Sequence, residues 1–126
     1  MRAVDTNVLV RLITRDDVRQ SASADAFIEE GAWASMLALA EAVWVLDAVY
    51  RRNPAEVATA VEMLLSHDKL TIQEPDVVAG ALDLFRRRPS LGFSDCLMLQ
   101  LARKAGHLPL GTFDRGLAKV EGAQKL

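Results

Sequence analysis

A chain of 126 residues, 51% of them hydrophobic, is one domain's worth of sequence with enough apolar side chains for one core. Its 15 basic and 17 acidic residues give a net charge of -2, so bulk charge does not mark a nucleic-acid binder, and any such role needs locally placed Arg and Lys. A single cysteine, Cys96, excludes an intramolecular disulfide; with only His67 and His107 beside it, the composition argues against a structural zinc site. In chain order, Arg2–Asp5 reads as a short strand, and Val8–Ile13 follows as a short helix after the polar pair Thr6-Asn7. Asp16 or Asp17 caps a second helix that runs to Glu30 and stops at Gly31. Ala32–Ser35 reads as a buried strand, and Met36–Tyr50 has the length and residue types of a helix. Asn53-Pro54-Ala55-Glu56 is a helix start, with a cap, Pro at the first helical position and Glu three residues after the cap. That helix runs to about Ser66; a strand follows at Leu70–Gln73, then a helix from Pro75-Asp76 to near Arg87. Phe93-Ser94-Asp95 begins a helix that Gly106 ends, His107–Gly111 is a short strand, and a last strand falls at Gln124–Leu126.

Strands alternating with helices predict an α/β sandwich around a mostly parallel sheet. Such sheets place their sites at the carboxyl ends of strands, and Asp5 and Asp114 both sit just after predicted strands. The opening MRAVDTNV does not read as a signal peptide, and the longest apolar stretch, Met36 to Leu46, is broken by Glu41 and too short to span a bilayer. The expectation is a reduced, cytoplasmic, soluble single domain over 1–126, with no membrane partner and no internal repeat.

Four acids carry the chemistry. Glu41 is the one residue between Met36 and Leu46 that is not apolar. A helix apolar on nearly every face is expected to be buried, where a carboxylate needs a cation or strong donors. The competing reading is that Glu41 points to solvent or pairs with an Arg. Asp5 in V-D-T-N reads equally as a helix N-cap, Asp95 in F-S-D-C as a residue favoured by the helix dipole with Ser94 as the cap, and Asp114 in G-T-F-D as a turn or a cap for Arg115–Val120. Taken singly, the structural readings of Asp95 and Asp114 are the stronger. Together, four acids from four elements at one end of a parallel sheet would repel unless a cation neutralised them, and oxygen ligands alone select hard ions such as Mg²⁺ or Mn²⁺.

The pieces VDTNVLV (4–10), LAEAVWVL (39–46), FSDCLMLQLA (93–102) and GHLPLGTFD (106–114), in this order, resemble the PIN-domain family over nearly the whole chain. A small chain with an N-terminal V-D-T-N looks like the VapC-type toxins of toxin–antitoxin pairs. The resemblance implies a three-layer sandwich with a central, mostly parallel sheet flanked by helices. It implies a Mg²⁺- or Mn²⁺-dependent endoribonuclease that cleaves transfer or ribosomal RNA through a metal-activated water. Carried over by motif, Asp5, Glu41, Asp95 and Asp114 are the metal-binding and catalytic carboxylates. Asn7 and Thr112 match polar positions beside the pocket, with Thr6 and Ser94 as further candidates. The resemblance also implies a homodimer inhibited by a cognate antitoxin, whose apolar helix is expected on the Leu12–Phe27 or Ala42–Tyr50 region. One departure concerns a second metal, since some PIN domains carry an acid where this chain has Gly116.

Arg11, Arg15 and Arg19, four apart, are candidates to line one helical face, with Arg86, Arg87 and Arg88 and Arg115 as further RNA contacts; for each alone, a solvated surface charge is the simpler reading. Trp33, Trp44, Phe85 and Phe93 read as core, as do Val43, Leu46 and Tyr50 in preference to a dimer face. Cys96 reads as packing. The competing functions are a non-catalytic PIN-fold module that binds RNA or protein, and a receiver-type phosphoacceptor domain. The receiver lacks the acidic pair it needs after the first strand, because Thr6-Asn7 follows Asp5.

Overall fold

The computed structural model describes residues 1–126, and every strand pairing in it is parallel. The residues gather into two compact units, Met1–Pro75 and Asp76–Leu126. The fold is α/β, with seven helices, as the alternation of strand and helix signals anticipates.

In the first unit, β1 (Arg2–Val4), β2 (Ala32–Ala34) and β3 (Leu70–Ile72) form one parallel ladder with β2 in the middle. The register pairs Val4 with Ala34 and Ala34 with Ile72, so the three strands end level. The residues that follow, Asp5 and Ser35 among them, therefore emerge along one carboxyl edge, which is where open parallel sheets hold their sites. A helix begins directly after each of the first two strands: Asp5 caps α1 (Thr6–Thr14) and Ser35 caps α3 (Met36–Ala48), each by accepting a backbone N–H three residues on.

The helix α1 starts two residues earlier than the apolar run alone predicts, because the cap at Asp5 draws Thr6 and Asn7 into the first turn. It ends at Arg15, which stands in the left-handed region at φ 52°, and α2 (Val18–Ile28) begins afresh from an Asp17 cap. Arg11, Arg15 and Arg19 consequently do not share one helical face: the axis is interrupted between the second and the third. Arg15 closes a two-pronged ion pair onto Asp25 instead.

The helix α3 corrects a second expectation. It is not apolar towards protein on every side. Ala38, Leu39, Ala42, Val43 and Leu46 are buried, while Leu37, Glu41, Trp44 and Ala48 form an exposed stripe at helical spacing. Glu41 is thus solvent-accessible, and Trp44, read as core from its type, is 64% exposed. Val43 and Leu46 are core, as expected. Tyr50 is half-buried, and its hydroxyl donates to Asp16 and accepts from Arg11. Trp33 is also only half-buried.

The helix α4 (Pro54–Ser66) opens with the reciprocal cap that its sequence spells out. The Asn53 side chain accepts from the Glu56 N–H at 2.8 Å, the Glu56 carboxylate accepts from the Asn53 N–H at 2.9 Å, and Pro54 fills the first helical position. Its apolar face, including Val57, Val61 and Leu64, is buried and packs near β3.

In the second unit, α5 (Pro75–Arg87) and α6 (Phe93–Ala105) supply the core through Phe85 and Phe93, whose rings meet edge to face at 5.6 Å. Gly106 ends α6 at φ 82°, a left-handed conformation that glycine adopts without a Cβ penalty. The strand β4 (Leu110–Thr112) starts later than the predicted His107–Gly111, and it pairs with β5 (Ala123–Lys125) across the short helix α7 (Arg115–Ala118). No helix is long and apolar enough to cross a membrane.

The cap of α4 makes a test of how this unit is held together. Asn53→Ala removes the side-chain half of the reciprocal pair and is expected to cost about 1 kcal/mol. Urea unfolding should show a lower midpoint with an unchanged slope.

Candidate carboxylate site

Two of the four acids, Asp5 and Asp114, are positioned by ordinary helix-capping chemistry, and that is why each also has a structural reading. Asp5 sits just past β1, and its Oδ1 accepts the Val8 N–H at 3.2 Å. Its second oxygen carries no hydrogen bond. Asp114 sits two residues past β4, and its Oδ1 accepts from the N–H groups of both Gly116 (2.7 Å) and Leu117 (3.1 Å). There too the second oxygen is unengaged. One oxygen of each carboxylate caps a helix, and the other makes no hydrogen bond.

Glu41 lies on the second turn of α3, and its Oε2 accepts from the Thr6 hydroxyl at 2.9 Å. Within the first unit this bond ties the carboxylate of α3 to the residue immediately after Asp5. Thr6 is thus a positioning residue for Glu41. Asn7 is exposed at the first turn of α1. Thr112 accepts the backbone N–H of Asp114 at 3.0 Å, which fixes the approach of the chain to that carboxylate.

Asp95 is the least satisfied of the four. It occupies the third position of α6 and is half-buried, and its side chain makes no hydrogen bond. The cap of α6 is Gly92, which offers no side chain; Ser94, expected as the cap, lies inside the first turn and is exposed. The helix dipole favours a charge at Asp95. Desolvation, and behind it the negative charge of Asp114, act in the opposite sense and hold the Asp95 carboxyl above the usual carboxylate range. The glycine at 92 leaves room for this carboxylate: a Cβ there would stand 3.3 Å from Asp95 Oδ2.

The donor set is all oxygen, which suits a hard divalent cation. The second unit brings Asp95 and Asp114 within electrostatic reach, and the first links Glu41 to the chain beside Asp5. No group of three or more His, Cys, Asp or Glu side chains is gathered closely enough to form a ready-made metal cage. Gly116, where a further acid was considered, has a structural use here. Its N–H holds Asp114, and a Cβ would lie 3.3 Å from Asp114 Oδ1 and 3.4 Å from Leu91 Cδ2.

A family model for the PIN domain matches residues 2–123. The chain belongs to the PIN-domain family. PIN domains are typically nucleases that hydrolyse nucleic acids, and PIN nucleases usually use divalent metals. No curated protein matches the chain. The PIN match spans both compact units, so the four acids lie on one family-defined stretch of sequence.

Two other sequence readings are settled by geometry. Cys96 is fully buried, and burial pushes its thiol up to about 11, so at neutral pH it is a packing residue and not a nucleophile. Arg11, read only as a basic rim residue, is held by three partners that the sequence reading did not connect to it. Its guanidinium donates to Gln20 through Nε, and to Asp16 and the Tyr50 hydroxyl through Nη1. The signal was present in the spacing of Arg11, Asp16 and Gln20, but not in Tyr50, which arrives from 39 residues away.

The state of Asp95 has a measurable consequence. An acid whose folded pKa is raised opposes folding when ionised. The penalty is absent below the unfolded value of about 3.9 and is complete above the raised folded value. In chelator, Asp95→Asn is therefore expected to melt at a higher temperature than the parent at pH 7 and to show no gain at pH 3. Added Mn²⁺ should then stabilise the parent and not the variant. A variant less stable at pH 7 in chelator would contradict this account of Asp95.

Proposed function

We propose that the protein is a divalent-metal-dependent endoribonuclease, with Asp5, Glu41, Asp95 and Asp114 holding Mg²⁺ or Mn²⁺. The observation that carries the reading is the unsatisfied Asp95 carboxylate beside the charge of Asp114. Asp95 is half-buried, lacks a hydrogen bond and faces the charge of Asp114, in a chain that belongs to a family of nucleases. An arrangement that costs stability in the free protein is retained most simply by a site whose ligand is a cation.

Those residues would hold a divalent cation, which would supply positive charge to the phosphate oxygens and leaving group and lower the pKa of water. The protein's own groups act around it. Asp5 and Asp114 present one unengaged oxygen each, with the plane set by their caps. Thr6 fixes Glu41, which would hold the cation directly or through water. The nucleophile is water, so the ribose 2′-OH is not consumed, and the products carry 5′-phosphate and 3′-hydroxyl ends. Exposed Arg86, Arg87, Arg88 and Arg115 provide positive charge for the RNA backbone.

The same reading makes the protein the toxin of a toxin–antitoxin pair, a cytoplasmic homodimer acting on transfer or ribosomal RNA. Support for a protein partner comes from α3 and its C-cap, where Trp44 (64% exposed) and Val49 (62%) sit in the Ala42–Tyr50 region proposed for the antitoxin helix.

Purified, antitoxin-free protein incubated with total transfer and ribosomal RNA tests the activity. With Mg²⁺ or Mn²⁺ it should release discrete fragments ending in 5′-phosphate; chelator or Asp5→Asn should reduce the rate by at least about a hundredfold. Full activity in Asp5→Asn, or 2′,3′-cyclic phosphate ends, would refute the mechanism.

A further inference from the structure

Between α1 and α2, inside the first unit, lies a groove of about 450 Å³ that the carboxylates do not occupy. On one side are Asn7, Val8 and Arg11, at helical spacing on α1; facing them on α2 are Gln20, Ser23 and Phe27. Its hydrogen-bonding capacity is largely unspent. Arg11 is immobilised through Nε and Nη1, and its Nη2 donates to nothing. The Asn7 amide, the Gln20 side-chain N–H₂ and the Ser23 hydroxyl are likewise without partners. Phe27 is half-buried, and the Arg2 guanidinium lies over its ring at 3.9 Å from the centroid.

We propose that this groove is a nucleotide subsite for single-stranded RNA, taking one residue of the substrate next to the phosphate under attack. The inference rests on the nuclease reading above. Three features select this occupant. The groove begins at Asn7, two residues beyond Asp5, and reaches Arg11 one turn later, about 6 Å along the axis, roughly one nucleotide of extended chain. Its volume suits a nucleotide and is small for a docked helix. Its chemistry pairs an aromatic side chain with a pre-positioned guanidinium, which matches a base beside a phosphate, whereas an apolar helix would leave the polar groups of the groove buried and unpaired. In the bound state the Arg11 Nη2 donates to a phosphate oxygen, the base rests against Phe27, and Asn7, Gln20 and Ser23 offer hydrogen bonds to base edges and the 2′-OH.

The test uses a short oligouridylate and the intact protein in chelator, where the proposed cleavage chemistry is off. NMR titration should shift the side-chain amide signals of Asn7 and Gln20. Ser23→Trp fills the groove without removing any hydrogen bond, and it should weaken oligouridylate binding about tenfold or more. Arg11→Gln should reduce the slope of log K against log salt by about 0.7, the signature of one lost phosphate contact, which a merely structural role would not produce. With Mn²⁺ present, the loss of turnover in Ser23→Trp should appear in KM, while Mn²⁺ affinity stays that of the parent. Binding at the groove without cleavage by the parent would sustain the subsite and sink the nuclease reading. Cleavage by the parent with equal KM in Ser23→Trp would overturn the subsite alone. A groove whose amides respond to an apolar helical peptide and not to oligouridylate would also overturn it.

Discussion

A half-buried carboxylate with no hydrogen bond, within reach of a second carboxylate, is the constraint to which the rest of the structure answers. Asp95 and Asp114 are drawn together by the second unit although their charges repel. No Arg or Lys is hydrogen-bonded to either. Two acids elsewhere in the chain do have cations: Asp25 has Arg15, and Asp76 has Lys104, and both carboxylates are held below the usual range by those partners. The contrast gives the pair its meaning. Asp95 has no such cation, and a half-buried carboxylate raised by desolvation and a neighbouring charge is a candidate for a functional site.

Helix capping supplies the precision. A carboxylate ligand must be oriented before its ion arrives, because ordering a free side chain costs conformational entropy. At Asp5 and Asp114 that order comes from backbone N–H groups that α1 and α7 have to satisfy anyway. At Glu41 it comes from a threonine on a neighbouring helix. The level ends of β1, β2 and β3 place the starts of α1 and α3, the helices that hold Asp5 and Glu41, along one edge of the first unit.

Much of this was legible in the residues. The capping box at Asn53, the stop at Gly106 and the alternation of strand and helix are local signals, and local signals survive folding. The acids were visible as charges that interrupt apolar runs and follow strands. What was not legible depends on partners distant in sequence. Trp44 looked like core because its helix is apolar throughout; only packing decides which stripe of such a helix faces outward. The break at Arg15 separates three arginines whose spacing suggested one face, and it hinges on a left-handed backbone at a residue type that rarely signals one. Ser94 looked like a cap because serine favours caps, yet the chain enters α6 two residues earlier, at Gly92. The groove between α1 and α2 had no sequence signature, since its two walls are unremarkable amphipathic helices until they stand side by side.

The most direct test of the central claim is calorimetric titration of Mn²⁺ into the parent protein and the four single variants Asp5→Asn, Glu41→Gln, Asp95→Asn and Asp114→Asn. If the four carboxylates hold one cation, the parent shows a binding event that every variant weakens by about tenfold or more. If Asp5→Asn and Glu41→Gln bind Mn²⁺ as the parent does, or if the parent binds none, the carboxylates are not one metal site and the account fails.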